Sequence, residues 1–145
     1  MMTCLLIVLV LLAACGPVVS VSPVAVLRNT PGPAVVITDD RIETAVFQIE
    51  RPDGWRVITS AADAPVSIIL VSPDERWLMM ISAAPIDVEK APRPTVDDES
   101  ELRSERRDVM LDDETFISTF GAAPVDEWDA FDEIFTRTIE SLAAV

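Results

Sequence analysis

The sequence of 145 residues contains no histidine, one lysine (Lys90), two cysteines and four glycines. Each scarcity excludes something. Without imidazole there is no histidine general acid or base and no histidine-ligated zinc. Both cysteines, Cys4 and Cys15, fall in the first fifteen residues. Everything after Cys15 therefore has neither a free thiol nor a disulfide and must be held by packing. The four glycines form no phosphate-cradling loop, and no Gly-x-Ser-x-Gly nucleophile motif occurs. Ser/Lys catalysis would have to use Lys90, beside Ala91-Pro92 in a proline-rich stretch. Positive charge is also short: 11 basic residues face 25 acids, for a formal net charge of −14. The imbalance is uneven, with eight acids against five basic residues up to Ile86 and seventeen against six from Asp87 onward. Such a surface repels nucleic acid and anionic head groups, so a nucleic-acid partner is not expected. No cofactor is implied.

What is present begins with an apolar run, Leu5 to Ala14, closed by Leu12-Ala13-Ala14-Cys15. Its length suits a signal peptide, but the small residues Ala13 and Ala14 precede a cysteine. This stretch resembles the lipobox of a bacterial lipoprotein precursor. The resemblance implies that the Cys15 thiol takes a diacylglyceryl group and that a peptidase cuts before it. Two or three acyl chains hold a protein firmly on a membrane, whereas one does so marginally. The expected organisation is a signal peptide over 1–14, lipidated Cys15 with a proline-rich tether over 15–43, and a single domain over 44–145. The pattern departs from the family in lacking Lys or Arg before Leu5. An uncleaved membrane helix from Leu5 to about Leu27 is the alternative. Gly16-Pro17 and Ser22-Pro23 interrupt that span, leaving it short of the roughly 20 residues needed. Pro17, Pro23, Pro31 and Pro33 favour an extended tether reaching roughly 30 Å, although Val18-Val19-Ser20-Val21 is apolar enough for a stray strand.

In the body, Phe47 and Ile49 alternate with Gln48 and Glu50, the period of a half-buried strand. Pro52-Asp53-Gly54 is turn chemistry, and Trp55 to Thr59 follows as a second strand, so the two read as a hairpin. Val66 to Val71 is an apolar run between prolines, expected as a central strand. Ser72-Pro73-Asp74-Glu75 turns it into another buried strand, Arg76 to Ser82, antiparallel to the first. Pro85, Pro92 and Pro94 mark an irregular connection. Thr95 looks like a helix cap before acids, and the Glu99/Arg103 spacing suits a polar helix over 99–110. Two short strands, Val109-Met110-Leu111 and Thr115 to Phe120, are the alternative there. Gly121 to Pro124 reads as a break. The last element is the clearest: Trp128, Phe131, Ile134, Phe135, Thr138, Ile139 and Leu142 form one apolar helical stripe, with Asp126 as its cap. The expected fold class is α+β, an antiparallel sheet of about 4–6 strands covered by this amphipathic helix.

The stretch from Phe47 through Pro52-Asp53-Gly54-Trp55, with Phe131-Asp132-Glu133-Ile134 through Ile139, resembles small α/β/α sandwich domains of the PsbP and Mog type. That likeness implies a non-catalytic domain assisting a larger assembly. The polar clusters Asp97-Asp98-Glu99, Asp112-Asp113-Glu114 and Asp126-Glu127-Asp129 carry oxygen ligands that calcium accepts, but none has EF-hand spacing. They read more simply as helix-start charge and solvated surface. Trp55, Trp77 and Trp128 lie on apolar stretches and are expected in the core, with Trp55 the most exposed. The expected function is that of a non-enzymatic interaction or assembly module, anchored through Cys15 at the extracytoplasmic face of the cell membrane and serving an unidentified protein partner. A small-ligand or calcium-binding lipoprotein and a carboxylate-dependent hydrolase are the alternatives.

Overall fold

The computed structural model describes residues 35–60, 64–97 and 99–145. The expected signal peptide, Cys15 and the tether as far as residue 34 lie outside the described residues. Among the described residues nine strands follow in chain order: β1 (Val36–Ile37), β2 (Arg41–Glu43), β3 (Phe47–Glu50), β4 (Arg56–Thr59), β5 (Ser67–Val71), β6 (Leu78–Ser82), β7 (Leu102–Met110), β8 (Phe116–Pro124) and β9 (Ala143–Ala144). A 3-10 turn, Val125–Glu127, leads into the helix α1 (Trp128–Glu140) between β8 and β9. The fold is α+β with two antiparallel sheets, ordered β1-β2-β3-β9 and β4-β5-β6-β8-β7. Among the described residues no helix is long and apolar enough to cross a membrane.

The apolar pair β5 and β6 forms the centre of the larger sheet, as its flanking prolines and turn residues suggest. Ile68 faces Ile81 and Leu70 faces Met79 across the ladder. Because side chains alternate between faces, these residues join Ile117 and Ala123 of β8 on one face. There they bury against Ile42, Phe47 and Ile49 of the smaller sheet and Trp128, Phe131 and Phe135 of α1. The opposite face carries Val71, Leu78, Phe120 and Ala122, covered by Ile86 and Ala91 from the connection after β6.

The helical stripe is seated as its spacing requires. Trp128, Phe131, Phe135 and Thr138 are buried. Close approach to the sheet depends on Gly121, where an added Cβ would lie 2.7 Å from Phe131 Cζ and 3.0 Å from Phe135 Cε1. Gly121 to Pro124 is therefore not a break. It continues β8, and its glycine is the notch that receives two rings.

Four further expectations are corrected. Residues 36–43, assigned to the tether, form β1 and β2, which pair with one another and with β3. Pro52-Asp53-Gly54 does turn the chain, with Gly54 at φ 74°, but β3 and β4 are not a hairpin. β3 is already bonded on both sides, by β2 and β9, so the turn passes the chain between sheets. The polar helix over 99–110 is instead the nine-residue strand β7, paired along its whole length with β8. This agrees with the alternative of strands around Asp112-Asp113-Glu114. Asp126 makes no cap: α1 starts from Glu127 with no side-chain cap bond, straight out of the 3-10 turn.

Candidate functional site

The two edges of the larger sheet differ in chemistry. β7 carries Arg103, Glu105, Arg106, Arg107 and Asp108. These are tied into ion pairs and stacks: Arg107 reaches Glu105 at 2.8 Å and Asp132 at 2.5 Å, and its guanidinium lies over Phe135. A charged edge of this kind discourages further pairing. β4, at the other edge, reads Arg56-Val57-Ile58-Thr59 with only one charge, and Ile58 is 44 % exposed.

Register shows which backbone groups β4 leaves open. Ser60 N–H donates to Ser67 C=O at 3.0 Å. Bonded pairs alternate along an antiparallel ladder, so Ile58/Ile69 and Arg56/Val71 are the bonded pairs within β4 and β5. The N–H and C=O of Val57 and Thr59 point away from the sheet. Among the described residues they have no backbone partner.

Beside this edge, on the face away from α1, a groove of about 190 Å³ crosses the sheet. Ile58, Ile69, Val71 and Leu78 make its apolar floor, and Pro92-Arg93-Pro94-Thr95 forms the far wall. Buried Ala91 and Pro94 fix that wall against the sheet. At one end Arg56 pairs with Glu75 at 3.0 Å. Glu75 sits at φ 63°, a left-handed conformation that costs a residue with a Cβ about 1 kcal/mol or more. Its carbonyl accepts from Thr95 N–H at 3.1 Å, so the residue joins both walls. Arg93 lies 5.3 Å over the Phe120 ring and donates to Val88 C=O at 3.1 Å. Among the described residues it has no carboxylate partner.

A second cavity, of about 230 Å³, lies between the turn after β3 and α1. Glu50 and Asp53 set acids against Arg51 and Arg137 there. Arg51 is already engaged, donating to Trp55 C=O at 2.7 Å and to Thr38 C=O at 3.1 Å. The cavity has no apolar floor and no excess of either charge.

The sequence-level candidates are dispersed. Cys15 lies outside the described residues. Asp112 serves its own turn, accepting from the N–H groups of Glu114 and Thr115. That bonding holds its carboxyl below the usual range. Glu127 accepts from Arg76 at 2.6 Å and from Trp77 Nε1 at 2.6 Å, tying the β6 entry to the start of α1. Asp97 reaches the same arginine at 3.9 Å. Among the described residues, no three Asp, Glu, Cys or His side chains converge as metal ligands. The tryptophans are core residues as expected, but their order is reversed. Trp55 is buried at 3 % exposure, because the turn before it delivers its ring inward, and Trp77 is the partly exposed one. Lys90 pairs with Asp87 at 2.9 Å on the surface.

The groove residues Arg56, Ile58, Glu75 and Arg93 had no sequence signal of their own. The nearest hint is Pro92-Arg93-Pro94, a cation held rigid between prolines. No family model matches the chain, and no curated protein or solved structure shows significant similarity to it.

Proposed function

We propose that this is a lipid-anchored extracytoplasmic protein, held to the cell membrane through Cys15, whose α+β domain is a non-enzymatic interaction module. The anchoring half rests on Leu12-Ala13-Ala14-Cys15 and its apolar run. The interaction half rests on one observation: among the described residues, the unpaired edge of β4, exposed Ile58 and an apolar groove adjoin at one side of the larger sheet. Edges and apolar clefts of this kind take up partner segments. The likeness to the α/β/α sandwiches of the PsbP and Mog type belongs to the same proposal. It is supported by the Pro-Asp-Gly-Trp turn and the terminal helix. The outer face of the larger sheet is covered by the connection from Ala83 to Asp97 rather than by a helix among the described residues.

The anchoring is tested by Cys15→Ser in the full chain, expressed in a bacterial host. The expected result is an unprocessed precursor that takes up no radiolabelled palmitate and moves from the membrane fraction to the soluble one or stalls at the leader. Unchanged mature mass, label and partition would overturn it. The interaction half predicts a specific cross-linked adduct when the anchored protein is treated with a short amine–carboxyl cross-linker in its own membrane.

A further inference from the structure

We infer that the cavity between the turn after β3 and the last turns of α1 binds a small zwitterion, an α-amino acid with a short polar side chain. Its carboxylate is held by Arg51 and Arg137 and its ammonium by Glu50 and Asp53. The site is separate from the β4 groove, and the inference goes beyond the reading of the domain as an interaction module without resting on it.

The walls of this cavity are fixed from both sides. On the strand side Gly54, at φ 74°, sets the turn. Arg51 clamps that turn, donating from Nε and Nη2 to Trp55 C=O and from Nη1 to Thr38 C=O. On the helix side the Ser141 hydroxyl accepts from Glu50 N–H at 2.9 Å and donates to Thr138 C=O at 2.7 Å, which ties β3 to the end of α1. The hollow between them is about 230 Å³. Sites for drug-sized ligands run to roughly 300–1,000 Å³, so the occupant is smaller than these.

Charge then sets its chemistry. Two acids and two arginines line the cavity. Among the described residues none of these four is in an ion pair, with one another or with any other side chain. Acids outnumber basic residues by 25 to 11 in this chain, and Arg56, Arg76, Arg103, Arg106 and Arg107 all hold carboxylates. Arg51 and Arg137 hold none, although two acids share their cavity. A simple anion would be repelled by the acids and a simple cation by the arginines, whereas a molecule with both charges answers each pair. Arg51 is prepared for a carboxylate. A guanidinium has five N–H groups; three are spent on backbone carbonyls, which leaves one on each terminal nitrogen. Its orientation is set before the ligand arrives, so little ordering is lost on binding.

Thr138 adds a neutral contact. It is 3 % exposed, yet its hydroxyl makes no hydrogen bond among the described residues. No side-chain polar atom sealed from solvent lacks a partner there, so this hydroxyl opens onto the cavity that Thr138 lines. A nearly buried hydroxyl in such a place calls for a partner from outside the protein. The lining offers no apolar surface, which favours a short polar side chain on the ligand over an aliphatic or aromatic one.

Isothermal titration calorimetry on the full chain in neutral detergent micelles tests the site with L-serine, acetate and ethylammonium as probes. L-Serine is expected to bind at least about tenfold more tightly than either single-charge probe. Arg137→Gln and Asp53→Asn should each weaken L-serine binding about fivefold or more, since each removes one charge-assisted contact. Both side chains are exposed, so the fold is expected to tolerate either change. Lys90→Gln, on the connection across the other face of the larger sheet, should leave the affinity unchanged. If either site variant proves unfolded, amide resonances decide in the unmodified protein. Saturating L-serine should shift the amides of Arg51, Asp53, Gly54 and Thr138 and leave those of β7 in place.

No binding of L-serine up to about 10 mM, equal binding of the three probes, or an unaltered affinity in folded Arg137→Gln or Asp53→Asn would each overturn the inference. So would shifts confined to other parts of the chain, or a loss of affinity in Lys90→Gln equal to that in the site variants. None of these results touches the membrane partition of Cys15→Ser or the cross-linked adduct, so the zwitterion site can fail while the anchored module stands.

Discussion

Phe131→Ala is expected to cost about 3–5 kcal/mol of folding stability and to lower the unfolding midpoint by roughly 10–25 °C. Phe131 is fully buried and is the hub of the aromatic packing. Its ring centroid lies 5.2 Å from Trp128, 5.4 Å from Phe135 and 6.0 Å from Trp77. Removing it opens a cavity bounded by three rings and by the Gly121 notch, all held by other contacts and unable to collapse fully. A domain of this size has only about 5–15 kcal/mol in total, so the loss is a large share. Thermal unfolding followed by circular dichroism measures it. The notch supplies a second arm. Gly121→Ala alone should cost about 1–3 kcal/mol through overpacking, because a methyl there would meet Phe131 at 2.7 Å. In the Phe131→Ala background the same substitution should cost clearly less, since the clashing ring is gone. Equal costs in the two backgrounds would show that α1 is not seated over Gly121.

The parts of this fold that the sequence reveals are those with one apolar and one polar face. The stripe from Trp128 to Leu142 has that contrast, and so do the alternating residues of β3. Runs such as Val66 to Val71 are equally plain, because both faces are buried. β7 escapes for the opposite reason. Arg103, Glu105, Arg107 and Val109 lie on one face and Leu102, Ser104, Arg106, Asp108 and Met110 on the other, so both faces are largely polar and the period of two is flattened. The Glu99/Arg103 spacing then favours a helix that the long pairing with β8 overrides. The turn at Pro52-Asp53-Gly54 was legible as a turn but not in what it connects, because strand pairing depends on β2 and β9, distant in sequence or too short to signal.

The groove was illegible for a related reason. Ile58 is an apolar residue in an apolar strand, and nothing local says that β4 lies at an edge. Arg93 acquires meaning only once the connection after β6 folds across Phe120. Cys15, by contrast, rests on four adjacent residues and needs no fold to be read. The proposed anchor is therefore read from a local stretch of the chain, whereas the groove is a property of its topology.

Glu127→Ala is expected to lower stability by about 1–2 kcal/mol at neutral pH, because it strands the Trp77 indole N–H in a half-buried setting. In the folded protein Glu127 accepts from Arg76 Nε at 2.8 Å and from Trp77 Nε1 at 2.6 Å. The Arg76 hydrogen bond comes first among the causes that hold its carboxyl below the ordinary value of 4.5, and the Trp77 bond adds to it against a counteracting desolvation. A carboxyl whose folded-state pKa is lowered stabilises the fold when ionised. Its contribution is complete above the unfolded-state pKa and is lost as pH falls through the lowered folded value. Asp108 behaves in the same sense, held down first by Arg106 and also by Ser118. The unmodified protein should therefore lose stability on acidification below about pH 4.5. The gap between it and Glu127→Ala should narrow over the same range, because protonation removes much of what the substitution removes. Paired melting curves at pH 7, 5, 4 and 3 measure this. A gap that is constant or widens toward acid would mean that Glu127 is not ionised in its contact with Arg76 and Trp77, and that the link between the β6 entry and α1 is carried by packing alone.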